Sequence, residues 1–117
     1  MTYTEISAIQ LSAVVDIHPD HISAFEQAVN GLIAAARSEP GVFDYQLWRH
    51  PSETGRFLLL ERYADRQALD GHLAAPLVID FVTSLPNWLS RSSYAALSTT
   101  NEIGEIPLTA AIESAQK

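Results

Sequence analysis

The chain has 117 residues, with 7 Lys and Arg residues against 14 Asp and Glu residues, and no cysteine. Its formal net charge of −7 opposes binding to nucleic acid or to an anionic membrane. The lack of cysteine excludes disulfides, thiolate nucleophiles and zinc–sulfur sites. The composition is that of a globular domain, and no long apolar run or basic leader predicts a membrane span or a secretory signal. We therefore expect a cytoplasmic protein that acts on a small neutral or aromatic molecule.

The first part of the chain predicts a strand, a helix and a second strand. Residues 6–17 alternate between apolar and polar, which is typical of a half-buried strand. Asp20 follows a proline corner and is expected to cap the helix that comes next. Apolar residues then recur at a spacing of three to four until Pro40-Gly41 ends the helix. Residues 42–50 alternate again and predict the second strand.

The next part predicts a hairpin and a helix. Residues 51–55 are turn formers and join the second strand to a third, Arg56–Tyr63. Asp65 is expected to cap a helix that begins at Arg66. Its apolar side carries Leu69, His72 and Leu73 at spacings that place them on one face.

The last elements are a renewed helix and a fourth strand. The helix is interrupted near Pro76, is renewed over residues 77–85 and is expected to end at Pro86. Residues 91–99 predict the fourth strand. The domain is therefore expected to span residues 1–99, followed by a tail, 100–117, that either wraps a dimer partner or is partly disordered.

The order of elements is β-α-β-β-α-β, which predicts an α+β, ferredoxin-like fold with two helices on one face of a four-stranded antiparallel sheet. The opposite face should be polar in a monomer, yet the sequence places apolar residues there. An exposed apolar sheet face usually meets a partner, so a homodimer with sheet-to-sheet contact is expected. The residues expected on this face are Val42, Trp48, Leu58, Leu60 and Tyr94.

The best candidate site combines an acid in an apolar strand, Glu61, with a histidine on the apolar side of the next helix, His72. Histidine changes its proton occupancy near neutral pH, and a carboxylate can orient its imidazole. Four aromatic residues are expected to form the walls: Phe43, Tyr45, Tyr63 and Phe81. The same residues also fit a purely structural interpretation, because a buried Glu–His pair can satisfy two enclosed polar groups and aromatic residues fill any such core.

Two segments, SEPGVFDYQLWRHP at 38–51 and GRFLLLERYADRQALDGHLAAP at 55–76, resemble the antibiotic biosynthesis monooxygenase (ABM) superfamily. The resemblance covers roughly residues 7–99 and is quinol-monooxygenase-like. It implies a dimeric α+β barrel. The superfamily includes monooxygenases, haem-degrading enzymes, isomerases and members without assigned chemistry, so the resemblance identifies the fold more specifically than the reaction.

The resemblance also implies pocket positions. The Asn, Trp and Tyr that line the pocket of anthrone-oxidising members correspond to Leu59, Tyr63 and Leu69, so two polar groups are replaced. The residues used by haem-degrading members correspond to Ile9, His72 and Val82, which lack the axial ligand. Both departures argue against those two activities.

We therefore expect a cofactor-independent, metal-free monooxygenase that oxidises a small aromatic quinol or polyketide-type phenol with O₂. His72 would be the base, Glu61 its orienting group, and the remaining pocket residues would bind the substrate: Phe43, Tyr45, Leu59, Tyr63, Leu69 and Phe81. Two alternatives stay open, an isomerase or proton-transfer enzyme on a small carbonyl compound, and a non-catalytic dimeric module that binds a small molecule.

Overall fold

The computed structural model describes the backbone of residues 2–91 and 95–105 and the side chains of residues 8–91. The elements are β1 (Thr2–Asp16), a 3₁₀ turn (Pro19–His21), α1 (Ile22–Ala36), β2 (Val42–Arg49), β3 (Arg56–Tyr63), α2 (Arg66–Leu73), α3 (Pro76–Trp88) and β4 (Ala95–Glu105). The strands lie in the order β2-β3-β1-β4, and each neighbouring pair is antiparallel. This is the α+β, ferredoxin-like fold that the sequence predicts.

The corner before α1 is built differently from the prediction. Asp20 was expected to cap the helix, but it lies within the 3₁₀ turn. There its own amide donates a 3.2 Å hydrogen bond to Nδ1 of His18. α1 then starts without a side-chain cap. The expected capping role of Asp20 is therefore wrong, because Asp20 supplies the amide that is capped.

The helical segment after β3 is divided into α2 and α3. Asp65 caps α2 as predicted, since its Oδ1 accepts a 2.8 Å hydrogen bond from the amide of Ala68. α3 starts at Pro76 and runs past Pro86 to Trp88, so Pro86 does not end the helix. Pro86 stands in the last turn, where its missing N–H removes only one intrahelical bond.

No single helix in the described part of the chain is long and apolar enough to cross a membrane. Together α2 and α3 have the length and composition for a span, but they are bent by 67°.

Two apolar clusters form between the sheet and the helices. The larger one centres on Phe25 of α1, whose ring lies 5.0 Å from that of Phe57 and 6.0 Å from that of Phe81, measured between centroids. The smaller one combines Ile9 and Tyr63 of the sheet with Leu69 of α2. The smaller cluster supports the functional residues described below.

The pairing of β2 with β3 contains an extra residue at Phe43. Tyr45 pairs with Glu61, so regular pairing would place Phe43 opposite Tyr63. Val42 pairs with Tyr63 instead. Because the extra residue changes the alternation of the strand, Val42 packs against the smaller cluster on the helix-covered face. The expectation that Val42 lies on the open face is wrong.

The open face of the sheet is partly apolar. Val14 is 53% exposed and Trp48 is 59% exposed, while Leu58 and Leu60 are partly exposed between them on β3. The register places Leu58 opposite both Val14 and Trp48, so these side chains form one continuous patch. Tyr94, also expected there, lies outside the described residues, as do residues 106–117 of the tail.

Candidate functional site

The candidate site lies where β2, β3, α2 and the loop after α1 meet. On β3, Glu61 and Tyr63 are two positions apart and point to the same, helix-covered side. Tyr45 of β2 pairs directly with Glu61. His72 lies in the last turn of α2, one turn after Leu69, whose burial against Tyr63 holds α2 on the sheet.

Glu39, in the loop after α1, makes the closest contact with His72. Its Oε2 lies 2.8 Å from Nδ1 of His72, which is hydrogen-bond distance. The Oε1 of Glu61 lies 3.7 Å from Nε2 on the other side of the ring. The Tyr63 hydroxyl donates a hydrogen bond to that same Glu61 oxygen. These four residues form one connected group, called here the acid–base array.

The structure therefore brings Glu61 and His72 together but adds a second carboxylate. The sequence interpretation made Glu61 the orienting group, whereas Glu39 holds the imidazole at hydrogen-bond distance. Glu39 was missed because the run SEPG was interpreted only as the end of a helix.

Gly41 explains how Glu39 reaches α2. Gly41 has φ +76°, and a Cβ at this position would lie 2.7 Å from the Cβ of Ala68 on α2. Its carbonyl also accepts a 2.8 Å hydrogen bond from the amide of Ala64. The loop can pack this closely on α2 only because residue 41 has no side chain.

Two of the residues predicted as aromatic walls, Tyr45 and Tyr63, lie beside His72, but neither lines the cleft described below. The ring centroids of Tyr45 and Tyr63 lie 5.3 and 5.4 Å from that of His72. Leu69 packs beside Tyr63 in the smaller cluster.

The other three predicted pocket residues lie elsewhere. Leu59 and Phe81 belong to the larger cluster around Phe25. Phe43 is 50% exposed at the extra residue of β2. The two wall aromatics at the site are therefore both tyrosines.

Burial raises the pKa of three side chains at the site, Glu61, Tyr45 and Tyr63. Burial raises the pKa of Glu61, while the hydrogen bond from Tyr63 and the nearby His72 act in the opposite direction. Burial, and then the negative charge of Glu61, raise the pKa of Tyr45 and of Tyr63. Both phenols therefore stay protonated at neutral pH, and Tyr63 remains a hydrogen-bond donor to Glu61.

An open cleft of about 520 Å³ reaches the array between the loop after α1 and α2. His72 lies at its inner wall and is only 3% exposed. The side chain of Glu39 is 23% exposed, so this carboxylate is the more accessible of the two groups. The lining residues are Glu39, Pro40, Gly41, Asp65, Gln67, Ala68, Gly71, His72 and Ala75.

No group of three or more His, Asp or Glu side chains in the described part of the chain is arranged to hold a metal ion. The cleft has the size for a small aromatic molecule. The side chains at its inner end are suited to accepting, holding and passing on a proton, because they combine an imidazole with carboxylates on both sides.

The sequence pattern of the family described as antibiotic biosynthesis monooxygenase matches residues 9–84. The chain belongs to this family. "Uncharacterized protein sll1783" of Synechocystis is 30% identical over 83 residues, which is 71% of this chain. The chain spans only 56% of the length of that relative. "Putative monooxygenase Rv0793" of Mycobacterium tuberculosis is 32% identical over 73 residues, covering 62% of this chain and 71% of the relative.

Solved structures of similar proteins have the same fold. The structure of Rv0793 superposes with a TM-score of 0.74 at 25% identity, over 86% of this chain and 99% of that one. The protein SO0527 of Shewanella oneidensis superposes with a TM-score of 0.75 at 22% identity, over 88% of this chain and 100% of that one. At that identity the second comparison supports the fold alone.

The region matched by the ABM family contains the whole acid–base array, from Glu39 to His72, and also Tyr45. It also contains the loop and the helix that form the cleft.

Proposed function

We propose that this ABM protein is an oxygen-dependent, cofactor-independent monooxygenase that oxidises a small aromatic quinol or phenol. The observation that carries the proposal is the position of His72, buried between Glu39 and Glu61 at the inner wall of a cleft large enough for such a substrate. The name of the Mycobacterium tuberculosis relative supports the same reaction class.

The reaction balances without an external reductant. A phenol or quinol with a hydrogen on a ring carbon ortho or para to a hydroxyl reacts with one O₂ to give a quinone and one water. The deprotonated hydroxyl compound transfers an electron to O₂, and the two radicals combine to form a C–O bond at that ring carbon. Loss of water from the resulting hydroperoxide leaves the second carbonyl. The protein must therefore remove a proton and exclude bulk water while the radicals combine.

The array offers a path for that proton. When Nε2 of His72 carries its hydrogen and faces Glu61, Nδ1 is free to accept a proton passed on by Glu39. The imidazolium that forms then has a carboxyl group facing each nitrogen. Tyr63 holds the Glu61 oxygen in place by donating to it. His72 is thus the proposed base. Glu39 holds its ring at hydrogen-bond distance, and Glu61, fixed by Tyr63, faces the other ring nitrogen.

The test is O₂ consumption with 1,4-naphthalenediol, a quinol that the cleft can hold. Replacing His72 with Ala should reduce the enzymatic rate by roughly 10²-fold or more, the range usual for loss of a general base. His21→Ala changes a histidine at the start of α1, away from the cleft, and should leave the rate unchanged. The proposal would be contradicted if His72→Ala had the circular dichroism spectrum of the wild type and also its rate of O₂ consumption.

A second candidate is proton transfer or isomerisation on a small carbonyl compound. It is favoured by the chemistry of the array, whose groups handle protons and carry no redox centre of their own. Anaerobic assay separates the two, because only the monooxygenase requires O₂.

A third candidate is a non-catalytic module that binds a small molecule. It is favoured by the openness of the cleft and by the hydrogen bonding of the array, since no buried side-chain N or O atom in the described residues lacks a partner. Ligand binding without turnover in either atmosphere would support this module over both enzymes.

We also propose that two copies of the chain associate through the open faces of their sheets to form a dimeric α+β barrel. The support is the apolar patch of Val14, Trp48, Leu58 and Leu60, which a monomer would leave in water. Trp48→Glu should convert the dimer to a monomer in light-scattering chromatography. Leu77→Glu adds the same charge at a 47% exposed leucine of α3 and should leave the dimer intact. A wild-type monomer at high concentration would contradict the proposal.

A further inference from the structure

The wall of the cleft has an uneven charge. Glu39 and Asp65 are the acids that line it, and no Lys or Arg from the described residues does so. The side chain of Asp65 is fixed, because its Oδ1 accepts the capping hydrogen bond from Ala68. A ligand in the cleft therefore meets carboxylates without a cation to offset them.

The nearby arginines are directed elsewhere. Arg66, which follows Asp65 in the chain, places its Nε 3.0 Å from Oδ1 of Asp70. Arg37 lines a different cavity, on the other side of the loop after α1. The net charge of the whole chain, −7, has the same sign as the two acids of the cleft.

Glu39 has one oxygen committed and one available. Its Oε2 is at hydrogen-bond distance from His72. Its Oε1 has no hydrogen-bond donor among the described side chains and backbone amides. His72 also lines the cleft but is almost fully buried, so Glu39 is the member of the array most exposed to a ligand there.

We propose that the cleft selects phenols that carry no anionic group and that the Glu39 carboxylate accepts the hydrogen bond from the ligand hydroxyl. Neutral phenols donate a hydrogen bond to the free Oε1 of Glu39. Cationic phenols donate the same hydrogen bond and are also attracted to the carboxylate of Asp65. Carboxylated or phosphorylated phenols are rejected, because they bring a negative charge against both acids. This inference rests on the proposed function in assigning the reacting group to a phenol, and it adds the charge class of the substrate.

The test uses three probes of matched size whose binding needs no turnover: 4-ethylphenol, tyramine and 3-(4-hydroxyphenyl)propanoate. Dissociation constants are measured by NMR titration of the full chain. The wild type should bind the propanoate about tenfold more weakly than 4-ethylphenol, or weaker still. Tyramine should bind at least as tightly as 4-ethylphenol.

Three variants assign the effect. Asp65→Asn should reduce the discrimination against the propanoate and change 4-ethylphenol binding less than Glu39→Gln does, since Asn also caps a helix. Glu39→Gln should reduce the discrimination and also weaken 4-ethylphenol several-fold, because a charge-assisted hydrogen bond becomes a neutral one. Asp80→Asn makes the same change of net charge at an exposed position of α3, outside the cleft. It should alter neither the discrimination against the propanoate nor the affinity for 4-ethylphenol.

Equal affinity of the wild type for the propanoate and for 4-ethylphenol would overturn the inference, as would failure of 4-ethylphenol to bind. An effect of Asp80→Asn as large as that of Asp65→Asn would also overturn it, by assigning the discrimination to net charge. Charge selection without O₂ consumption would leave the inference standing and refute the monooxygenase. O₂ consumption without charge selection would do the reverse.

Discussion

Nδ1 of His72 lies 2.8 Å from Oε2 of Glu39, a residue 33 positions earlier in the chain, and this contact ties the loop after α1 to α2. It joins an almost fully buried ring to a partly exposed carboxylate. The contact thus connects the interior of the protein to the cleft. It also predicts that the stability and the chemistry of the site depend on the same pair.

A double-mutant cycle tests this pair. Glu39→Gln and His72→Asn should each reduce the free energy of unfolding by about 1–3 kcal/mol. The first leaves the buried His72 with a weaker polar partner, and the second does the same for the buried Glu61. Their effects should be non-additive by about 1 kcal/mol, because the residues contact each other. Urea unfolding at neutral pH gives the free energy of unfolding of the wild type, the two single variants and the double variant.

Arg66→Gln and Asp70→Asn form a matched control. These residues are an exposed ion pair one helical turn apart, whose coupling should be no more than about 0.5 kcal/mol. Additive effects of the Glu39 and His72 replacements would contradict the prediction.

The sequence predicts those parts of the site that depend on local pattern. The bounds of β3 and the capping of α2 by Asp65 follow from alternation and from a short polar side chain at the start of a helix, and both are as predicted. Glu61 and His72 were identified because each is a polar residue at an apolar position. Local periodicity therefore identified three of the four members of the array, Glu61, Tyr63 and His72.

The placement of the other residues, including Glu39, depends on tertiary contacts that no local pattern records. Glu39 reaches His72 only because Gly41 lets the loop pack against Ala68. One extra residue at Phe43 moves Val42 to the helix-covered face, and nothing in the alternation of the strand identifies the insertion in advance. The helical spacing of Phe81 is compatible with a pocket wall and with the core, and the residue lies in the core.

Glu61 should make the stability depend on pH in a defined direction. Its pKa is raised in the folded protein, chiefly by burial. Its contribution to stability is therefore complete below the unfolded pKa, which is about 4.3 for Glu, and is lost as the pH rises through the higher folded value. Glu61→Gln removes this loss, so the variant should gain stability relative to the wild type as the pH increases from about 4 to about 8. Urea unfolding across that range measures the difference. A constant difference, or one that shrinks with rising pH, would contradict it.

Tyr63→Phe provides an independent check on the same carboxyl group. The hydrogen bond from Tyr63 lowers the pKa of Glu61 and partly opposes the effect of burial. Its removal should raise the pKa of Glu61 further, which ¹³C NMR titration of the carboxyl carbon can follow directly. A fall in the pKa of Glu61 in Tyr63→Phe would show that the hydrogen bond is not made in solution.

The two tyrosines at the site should resist ionisation. Burial and the charge of Glu61 raise the pKa of Tyr45 and of Tyr63, so both should stay neutral while an exposed tyrosine titrates between roughly pH 9 and 11. Tyr45→Phe and Tyr63→Phe should therefore leave the tyrosinate absorbance gained over that range unchanged. In denaturant, each replacement should remove a quarter of the signal, because the chain has four tyrosines. Loss of amplitude in a folded variant would contradict the prediction.

Two glycines that line the same cleft should respond in opposite directions to alanine. Gly41→Ala places a Cβ 2.7 Å from the Cβ of Ala68 at a φ of +76°, so the loop must move away from α2. It should cost more than about 1 kcal/mol of unfolding free energy. Gly71→Ala adds a Cβ with no atom within 4 Å inside a helix, and should stabilise the protein by about 0.5–1 kcal/mol.

Ligand binding by the same two variants separates the positioning of Glu39 from the space in the cleft. Gly41→Ala moves the loop that carries Glu39, so 4-ethylphenol should bind several-fold more weakly even where the variant stays folded. In Gly71→Ala the new methyl group occupies part of the cleft wall, so a loss of affinity there, in a more stable protein, would show that the ligand lies against α2. Equal affinity in Gly71→Ala would place the ligand against the loop instead. Unchanged affinity in Gly41→Ala would contradict the conclusion that the close packing of this loop positions Glu39.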